Sequence, residues 1–148
     1  MDAMLVRSPL ASYSFTSSKG TNLHVCYQDK SGNIKQSIFD SKSGWRTSPN
    51  GIISKADLNN ELAITGWASG DEEHVYYIGE GNKIVERCWS ATKQLTNSIP
   101  FSPLAATPVA GSTPSVRVYL QDTSSQIMEW GIDDGKNYKQ YQKGLPTN

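Results

Sequence analysis

Arg117 and Glu129 are the residues of this chain best suited to chemistry with a small polar ligand. They lie twelve residues apart in the strand-like segments SVRVYLQD and SSQIMEW. An arginine fork and a carboxylate on adjacent strands offer donors and acceptors at a fixed spacing to vicinal hydroxyl groups. The alternative interpretation is a cross-strand ion pair on a half-exposed sheet, worth about 0.2 to 1 kcal/mol.

The same two positions recur earlier in the chain. His24 is followed twelve residues later by Gln36, and His74 is followed at the same spacing by Glu86. The anchors His24, His74 and Arg117 lie 50 and then 43 residues apart. A period in this range is typical of repeat architectures, in which each copy is one supersecondary unit. The chain is therefore predicted to contain three structural repeats.

Each repeat is predicted to be a four-stranded blade. Apolar and polar side chains alternate in VRVYLQD, and short polar connectors such as residues 29–33 separate the paired strands. Further apolar segments lie upstream and downstream of each hairpin, and four short strands in about 40 to 50 residues are typical of a propeller blade. We expect an all-β single domain over residues 1–148, with blades at about 8–58, 59–101 and 102–145. An antiparallel sandwich of short strands is the alternative fold.

Three blades cannot close a ring, because propellers need about four to eight. An open array would leave its inner strands and the flat faces of its terminal blades exposed. A second copy related by twofold symmetry would bring the number of blades to six, and twofold pairs are the commonest oligomers. We therefore expect a homodimer that forms a six-bladed β-propeller.

The composition argues against several classes of partner. The chain has 14 basic and 14 acidic residues, so no basic field is available to attract nucleic acid or anionic lipid. No 18 apolar residues run together, so no membrane insertion is expected, and the N-terminal apolar stretch is too short for a signal-peptide core. This predicts a cytoplasmic protein or one released without a conventional signal peptide. The two histidines and two cysteines lack metal-ligand spacing, so neither a metal nor another cofactor is expected.

The strings IVERCW (84–89), VRVYLQD (116–122) and IMEW (127–130) resemble the repeats of the fungal and bacterial fucose-specific lectins of the Aleuria type. The resemblance covers about residues 8–142. It implies a lectin that binds fucose or fucosylated glycans in clefts between adjacent blades. In that family an arginine and a glutamate of one blade hydrogen-bond the sugar, and aromatic residues of the next blade cover its apolar face.

The resemblance places the best sugar site at the subunit junction. Arg117 and Glu129 match the polar pair of the family in the third blade. The blade that follows is the first blade of the other subunit, which would supply Phe39 and Trp45.

The two clefts inside the chain depart further from the family pattern. The residues assigned to them are His74, Glu86, Ile132 and Tyr138 in the second cleft, and His24, Gln36, Trp89 and Leu95 in the first. The second site is expected to be weaker, because neutral imidazole has one donor where guanidinium has five. In the first cleft we expect poor or no fucose binding.

A glycosidase and a protein-interaction scaffold are the alternative functions. Glycoside hydrolysis needs paired carboxylates in one pocket. Glu86 and Glu129 occupy equivalent repeat positions and so belong to different clefts, which predicts that the protein is not an enzyme. A non-enzymatic propeller scaffold with degenerate sugar sites is suggested by His24, His74 and Gln36, which lack the residue types of the family.

Overall fold

The computed structural model describes residues 3–67, 72–88, 91–110, 115–135 and 137–146. These residues form three four-stranded antiparallel sheets, each a meander in chain order. The predicted all-β architecture of three four-stranded blades is confirmed. Within the described ranges, no helix has the length and apolar character needed to cross a bilayer.

The strands divide evenly among the blades. Blade 1 contains β1 (Leu10–Ser17), β2 (Gly20–Gln28), β3 (Asn33–Asp40) and β4 (Gly44–Lys55). Blade 2 contains β5 (Leu62–Gly66), β6 (Glu73–Gly79), β7 (Lys83–Cys88) and β8 (Ala91–Asn97). Blade 3 contains β9 (Leu104–Pro108), β10 (Val116–Gln121), β11 (Ile127–Ile132) and β12 (Lys139–Lys143). A 3-10 turn, Glu80–Asn82, connects β6 to β7.

Aspartate-based turns form two of the central hairpins. Asp29 Oδ1 accepts hydrogen bonds from the backbone N–H groups two and four residues later, at 2.9 and 3.0 Å. Asp122 Oδ1 makes the same two contacts, both at 2.9 Å. A side chain that bonds its own backbone in this way stabilises a tight turn. The polar connectors predicted between β2 and β3 and between β10 and β11 therefore form as hairpin turns.

The blades pack face to face in an arc. β1 contacts β5, and β5 contacts β9, so the first strand of each blade lies next to its counterpart in the neighbouring blade. Every residue of β5 is buried, whereas β1 and β9 retain exposed residues along their length. Blade 2 is therefore covered on both sides. The side of blade 1 that points away from blade 2 is called its free face, and blade 3 has a corresponding free face.

Apolar side chains that alternate along the strands fill the two interfaces between blades. The interface between blades 1 and 2 contains Cys26, Ile34, Leu62, Ile64, Val75 and Tyr77. The interface between blades 2 and 3 contains Ala63, Tyr76, Val116, Val118 and Ile132, together with Ile78, Ile84, Leu120 and Met128. Cys26 is a free thiol that packs as a small apolar side chain.

Candidate functional site

Strand pairing places the three blades in one common register. The paired residues on β1–β2–β3 and their counterparts are Ala11–Cys26–Gln36, Ala63–Tyr76–Glu86 and Ala105–Tyr119–Glu129. His24, His74 and Arg117 each lie two residues before the middle member of these sets. Each blade therefore carries a polar pair, formed by these residues with Gln36, Glu86 and Glu129, on the side facing the next blade. For blade 3 that side is its free face.

The guanidinium of Arg117 is held from several directions. Its Nε lies 3.0 Å from Glu129 Oε1, and an Nη2 hydrogen is donated to Asp133 Oδ1 at 2.8 Å. Nη1 donates to Ser115 Oγ at 3.1 Å. Cζ lies 3.8 Å from the ring centroid of Tyr141. The structure therefore brings the predicted pair together and orients the arginine rigidly on the sheet.

Asp133 and Tyr141 are site residues that the sequence analysis missed. Tyr141 donates its hydroxyl hydrogen to Asp133, and Ser115 Oγ donates to the same carboxylate at 2.8 Å. These hydrogen bonds, with that of Arg117, hold the pKa of Asp133 well below its usual range. The sequence contained a signal for Asp133, because it lies four residues after Glu129. Asp40 lies at the same spacing after Gln36, the counterpart of Glu129 in blade 1.

Gly131 makes room for the arginine across the strand pair. It pairs with Arg117, and a Cβ added at this glycine would lie 2.9 Å from Arg117 Cδ and 2.2 Å from the carbonyl oxygen of Val116. Blade 1 has Ile38 at the equivalent position, opposite His24. The absence of a side chain at Gly131 therefore allows the long arginine to lie across the strand beside it.

Glu129 keeps hydrogen-bonding capacity for a ligand. Apart from Arg117, it makes no ion pair or hydrogen bond with the described residues. The side chains of Arg117 and Glu129 are 15% and 21% exposed, so solvent reaches both. No three His, Cys, Asp or Glu side chains in the described part of the chain are arranged to hold a metal ion. The arrangement suits a neutral ligand with neighbouring hydroxyl groups.

In the first cleft, between blades 1 and 2, a carboxylate of the chain itself accepts hydrogen bonds from both residues of the polar pair. Glu73 accepts a hydrogen bond from Gln36 Nε2 at 2.7 Å and another from His24 Nδ1. The equivalent residue of blade 3 is Val116, which has no polar group to offer. A cavity of about 290 Å³ beside this contact is lined in part by Glu73 and Arg87. His24 Nδ1 and Gln36 Nε2 are therefore already engaged by Glu73.

The second cleft, between blades 2 and 3, is closed around a buried carboxylate. Glu86 Oε1 accepts hydrogen bonds from His74 Nδ1 at 2.5 Å, from Tyr76 at 3.3 Å and from the hydroxyl of Tyr138. Burial raises the pKa of Glu86, but the hydrogen bonds from His74 and Tyr138 outweigh it and lower the pKa below its ordinary value. Ile132 lies in the adjacent core, almost without exposure. The structure thus brings the four predicted residues together and buries the carboxylate, since Glu86 is only 1% exposed.

Phe39 and Trp45 lie together on the free face of blade 1. They pair across β3 and β4, their ring centroids are 5.5 Å apart, and Trp45 is 56% exposed. This face is at the opposite end of the arc from Arg117 and Glu129. One chain alone therefore does not bring the aromatic pair to the polar pair.

The remaining two assignments concern the first cleft. Trp89 lies outside the described residues. Leu95 was assigned wrongly, because it packs against the interface between blades 2 and 3. The β7–β8 pairing shifts between Ile84 and Val85, and Leu95 is the extra residue of this bulge. A bulge changes the face to which a side chain points, which the spacing of residues cannot reveal.

Comparison with known sequences gives one consistent family. A model of fungal fucose-specific lectins matches residues 3–147. The fucose-specific lectin of Aleuria aurantia is 27% identical over 143 residues, which cover 88% of this chain and 45% of that protein. The chain spans about half the length of the curated relatives it matches.

Comparison with solved structures gives the same fold. The six-bladed β-propeller of Aleuria aurantia lectin matches with a TM-score of 0.75 at 24% identity, covering 96% of this chain and 50% of that one. A fucose lectin from Kordia zhangzhouensis, solved in complex with methyl-fucoside, matches with a TM-score of 0.71 at 19% identity, covering 90% of this chain and 99% of that one. The three blades thus have the fold of half a six-bladed propeller.

Proposed function

Because this chain belongs to the fungal fucose-specific lectin family, we propose that it is a lectin that binds fucose or fucosylated glycans. The observation that carries the proposal is the Arg117–Glu129 pair on the free face of blade 3. The guanidinium supplies fixed donors, the carboxylate supplies acceptors, and both reach solvent. Such a pair recognises two adjacent ring hydroxyls better than either group alone.

The site is completed by a second copy of the chain in a homodimer of six blades. In the second cleft, Tyr138 packs in the same apolar cluster as Ile132 and reaches Glu86. Tyr138 directly precedes Lys139, which pairs with Gly131, so the register continues from that pair to Tyr138 and Ile132. Strand register puts Trp45 at the position of Tyr138, because Trp45 pairs with Phe39. The partner's Trp45 and the partner's Phe39 would therefore face Glu129 and cover the apolar side and the methyl group of a 6-deoxy sugar.

The proposed stoichiometry is one sugar per chain. Glu73 engages the polar pair of the first cleft, and Tyr138 closes the second around Glu86. In both inner clefts another group of the chain already bonds a member of the polar pair, whereas Glu129 at the junction site bonds only Arg117 among the described residues. Two sites per ring would raise the avidity for a glycan-coated surface by about 10² to 10⁴ where geometry permits.

The proposed activity is binding without catalysis. Glu86 and Glu129 lie on different blades, and Glu86 is buried and hydrogen-bonded to His74. Asp133, the second carboxylate beside Arg117, is held by hydrogen bonds from Ser115 and Tyr141. Hydrolysis of a glycosidic bond would require two carboxylates about 5 to 9.5 Å apart across one sugar. A scaffold without sugar binding is the alternative function, and membership of the fucose-specific lectin family argues against it.

Calorimetric titration with methyl α-L-fucoside tests the proposed function. We expect about one site per chain, and weaker binding of methyl α-L-galactoside, which carries a hydroxyl in place of a hydrogen on the methyl carbon. Binding to fucosylated glycans on an array would support the same conclusion. No binding to either ligand, and no retained glycan on the array, would contradict the lectin and favour the scaffold.

Replacing Trp45 with alanine is expected to weaken fucoside binding about tenfold, or roughly 1.4 kcal/mol, because the sugar loses its aromatic cover. Phe101→Ala is the matched control, since Phe101 is also exposed but lies in the loop that connects blade 2 to blade 3. The measurement is the dissociation constant by calorimetry. Unchanged affinity in Trp45→Ala would show that the second chain contributes no aromatic wall.

A further inference from the structure

A leucine opens the first strand of every blade. Strand pairing sets Leu10, Leu62 and Leu104 in equivalent places, each opposite the end of the second strand. Their surroundings differ greatly. Leu62 is 5% exposed, whereas Leu10 is 66% exposed on the free face of blade 1.

Two of these leucines pack on the same surface of the preceding blade. Leu62 packs with Ala11, Cys26 and Ile34 of blade 1. The corresponding surface of blade 2, formed by Ala63, Tyr76 and Ile84, belongs to the clusters that Leu104 contacts. The chain therefore repeats one docking contact at both of its internal interfaces.

On the third copy of this surface, no first-strand leucine of a following blade docks among the described residues. Its members, by strand register, are Ala105, Tyr119 and Ile127 on the free face of blade 3. They line a mainly apolar groove of about 320 Å³. Ile127 is 39% exposed, although its counterpart Ile34 is completely buried. One chain thus carries an unfilled groove at one end and an unburied leucine at the other.

We infer that this groove is the docking site for Leu10 of a second copy of the chain. The inference rests on the proposed pairing of two chains and names the contact that holds them. The occupant is a second copy because the groove and the leucine occupy the same strand positions as an interface that the chain already makes twice. Twofold symmetry then fills both grooves of the pair at once.

The same docking sets the composition of the sugar site. With the partner's Leu10 at the position that Leu104 takes on blade 2, the partner's Trp45 falls at the position of Tyr138. Tyr138 contacts the Glu86 carboxylate, so the partner's Trp45 would stand beside the Glu129 carboxylate. The groove is therefore a positioning contact for the aromatic wall as well as a docking surface.

Sedimentation velocity of Leu10→Asp tests this inference. The wild-type chain should sediment as a dimer, and the variant should show a dissociation constant for the dimer raised by about 100-fold or more, since a charge would enter an apolar groove at both junctions. Leu58→Asp is the matched control, because Leu58 is 45% exposed but lies in the loop between blades 1 and 2. Circular dichroism verifies that each variant remains folded.

A second variant separates loss of docking from loss of folding. Leu10→Asp combined with Ile127→Lys places opposite charges across each junction and should restore much of the dimer. A dimer that survives Leu10→Asp unchanged, or a wild-type chain that is monomeric at micromolar concentration, overturns the inference. The sedimentation test does not depend on sugar. If the protein binds fucoside but Leu10→Asp leaves the dimer unchanged, only the docking inference is contradicted. If the protein is a dimer that does not bind fucoside, only the proposed lectin function is contradicted.

Discussion

Arg117→Ala is expected to lower the affinity for methyl fucoside by about 100-fold or more while leaving the two-chain assembly in place. Two charge-assisted hydrogen bonds to sugar hydroxyls would be lost, each worth about 1.5 to 3 kcal/mol. The arginine lies on the sheet surface and is only partly buried, and its removal does not touch the apolar groove of Ala105, Tyr119 and Ile127. Calorimetry measures the affinity, and sedimentation measures the assembly.

Arg87→Ala is the matched control for this variant. Arg87 lies beside the cavity of the first cleft, and its one hydrogen bond to a described residue is donated to the carbonyl oxygen of Cys88 at 3.0 Å. Its removal should leave fucoside binding unchanged. The reverse outcome, with affinity kept in Arg117→Ala and lost in Arg87→Ala, would move the sugar site to the first cleft.

Replacing Glu86 with alanine is expected to lower the free energy of unfolding by about 3 kcal/mol. Removal of this carboxylate leaves His74, Tyr76 and Tyr138 without their shared acceptor in the core, and unpaired buried polar groups are costly. Glu129→Ala is the control at the equivalent position. Its side chain is 21% exposed, so we expect a loss below about 1 kcal/mol. Urea unfolding at one fixed protein concentration measures both variants.

The pair of variants should show opposite behaviour in the two assays. Glu129→Ala should impair sugar binding with little change in stability, whereas Glu86→Ala should impair stability. Equal stability losses would mean that the two carboxylates share one role, which would contradict the assignment of Glu86 to the core.

Acid unfolding gives a second measurement on Glu86→Ala. Hydrogen bonds from His74 and Tyr138 outweigh the effect of burial and lower the native pKa of Glu86 below its ordinary value of 4.5. The contribution of this group to stability is therefore complete above about pH 4.5 and is lost as the pH falls through the lower native value. The wild-type protein should lose more stability than Glu86→Ala between about pH 6 and pH 3.

The fold was predictable because the signals for it are local. The alternation in VRVYLQD and the turn-forming Asp29 and Asp122 act within a few residues, and the twelve-residue spacing from Arg117 to Glu129 reports a single hairpin. Because the hairpin recurs, the number of blades and their order followed from the same pattern.

The state of each cleft was not predictable, because it depends on contacts between blades. Glu73 adjoins His74 in the sequence, but its side chain points to the opposite side of blade 2 and engages His24. The spacing assigns Tyr138 and Glu86 to one cleft, but it does not reveal that the tyrosine hydroxyl bonds the carboxylate directly. A repeat period identifies equivalent positions and cannot tell which of them a neighbouring side chain will occupy.

In the proposed lectin, Glu73 engages the polar pair of one inner cleft and Tyr138 that of the other, so the sugar would bind where two polypeptides meet. A saccharide whose site uses both chains would bind the associated form more tightly than the separated protomers, so its binding would favour association by mass action. By thermodynamic reciprocity, each strengthens the other by the same factor. Sugar binding and dimer formation would then be coupled equilibria, and a fucose-rich surface would promote the association of dilute protomers into rings.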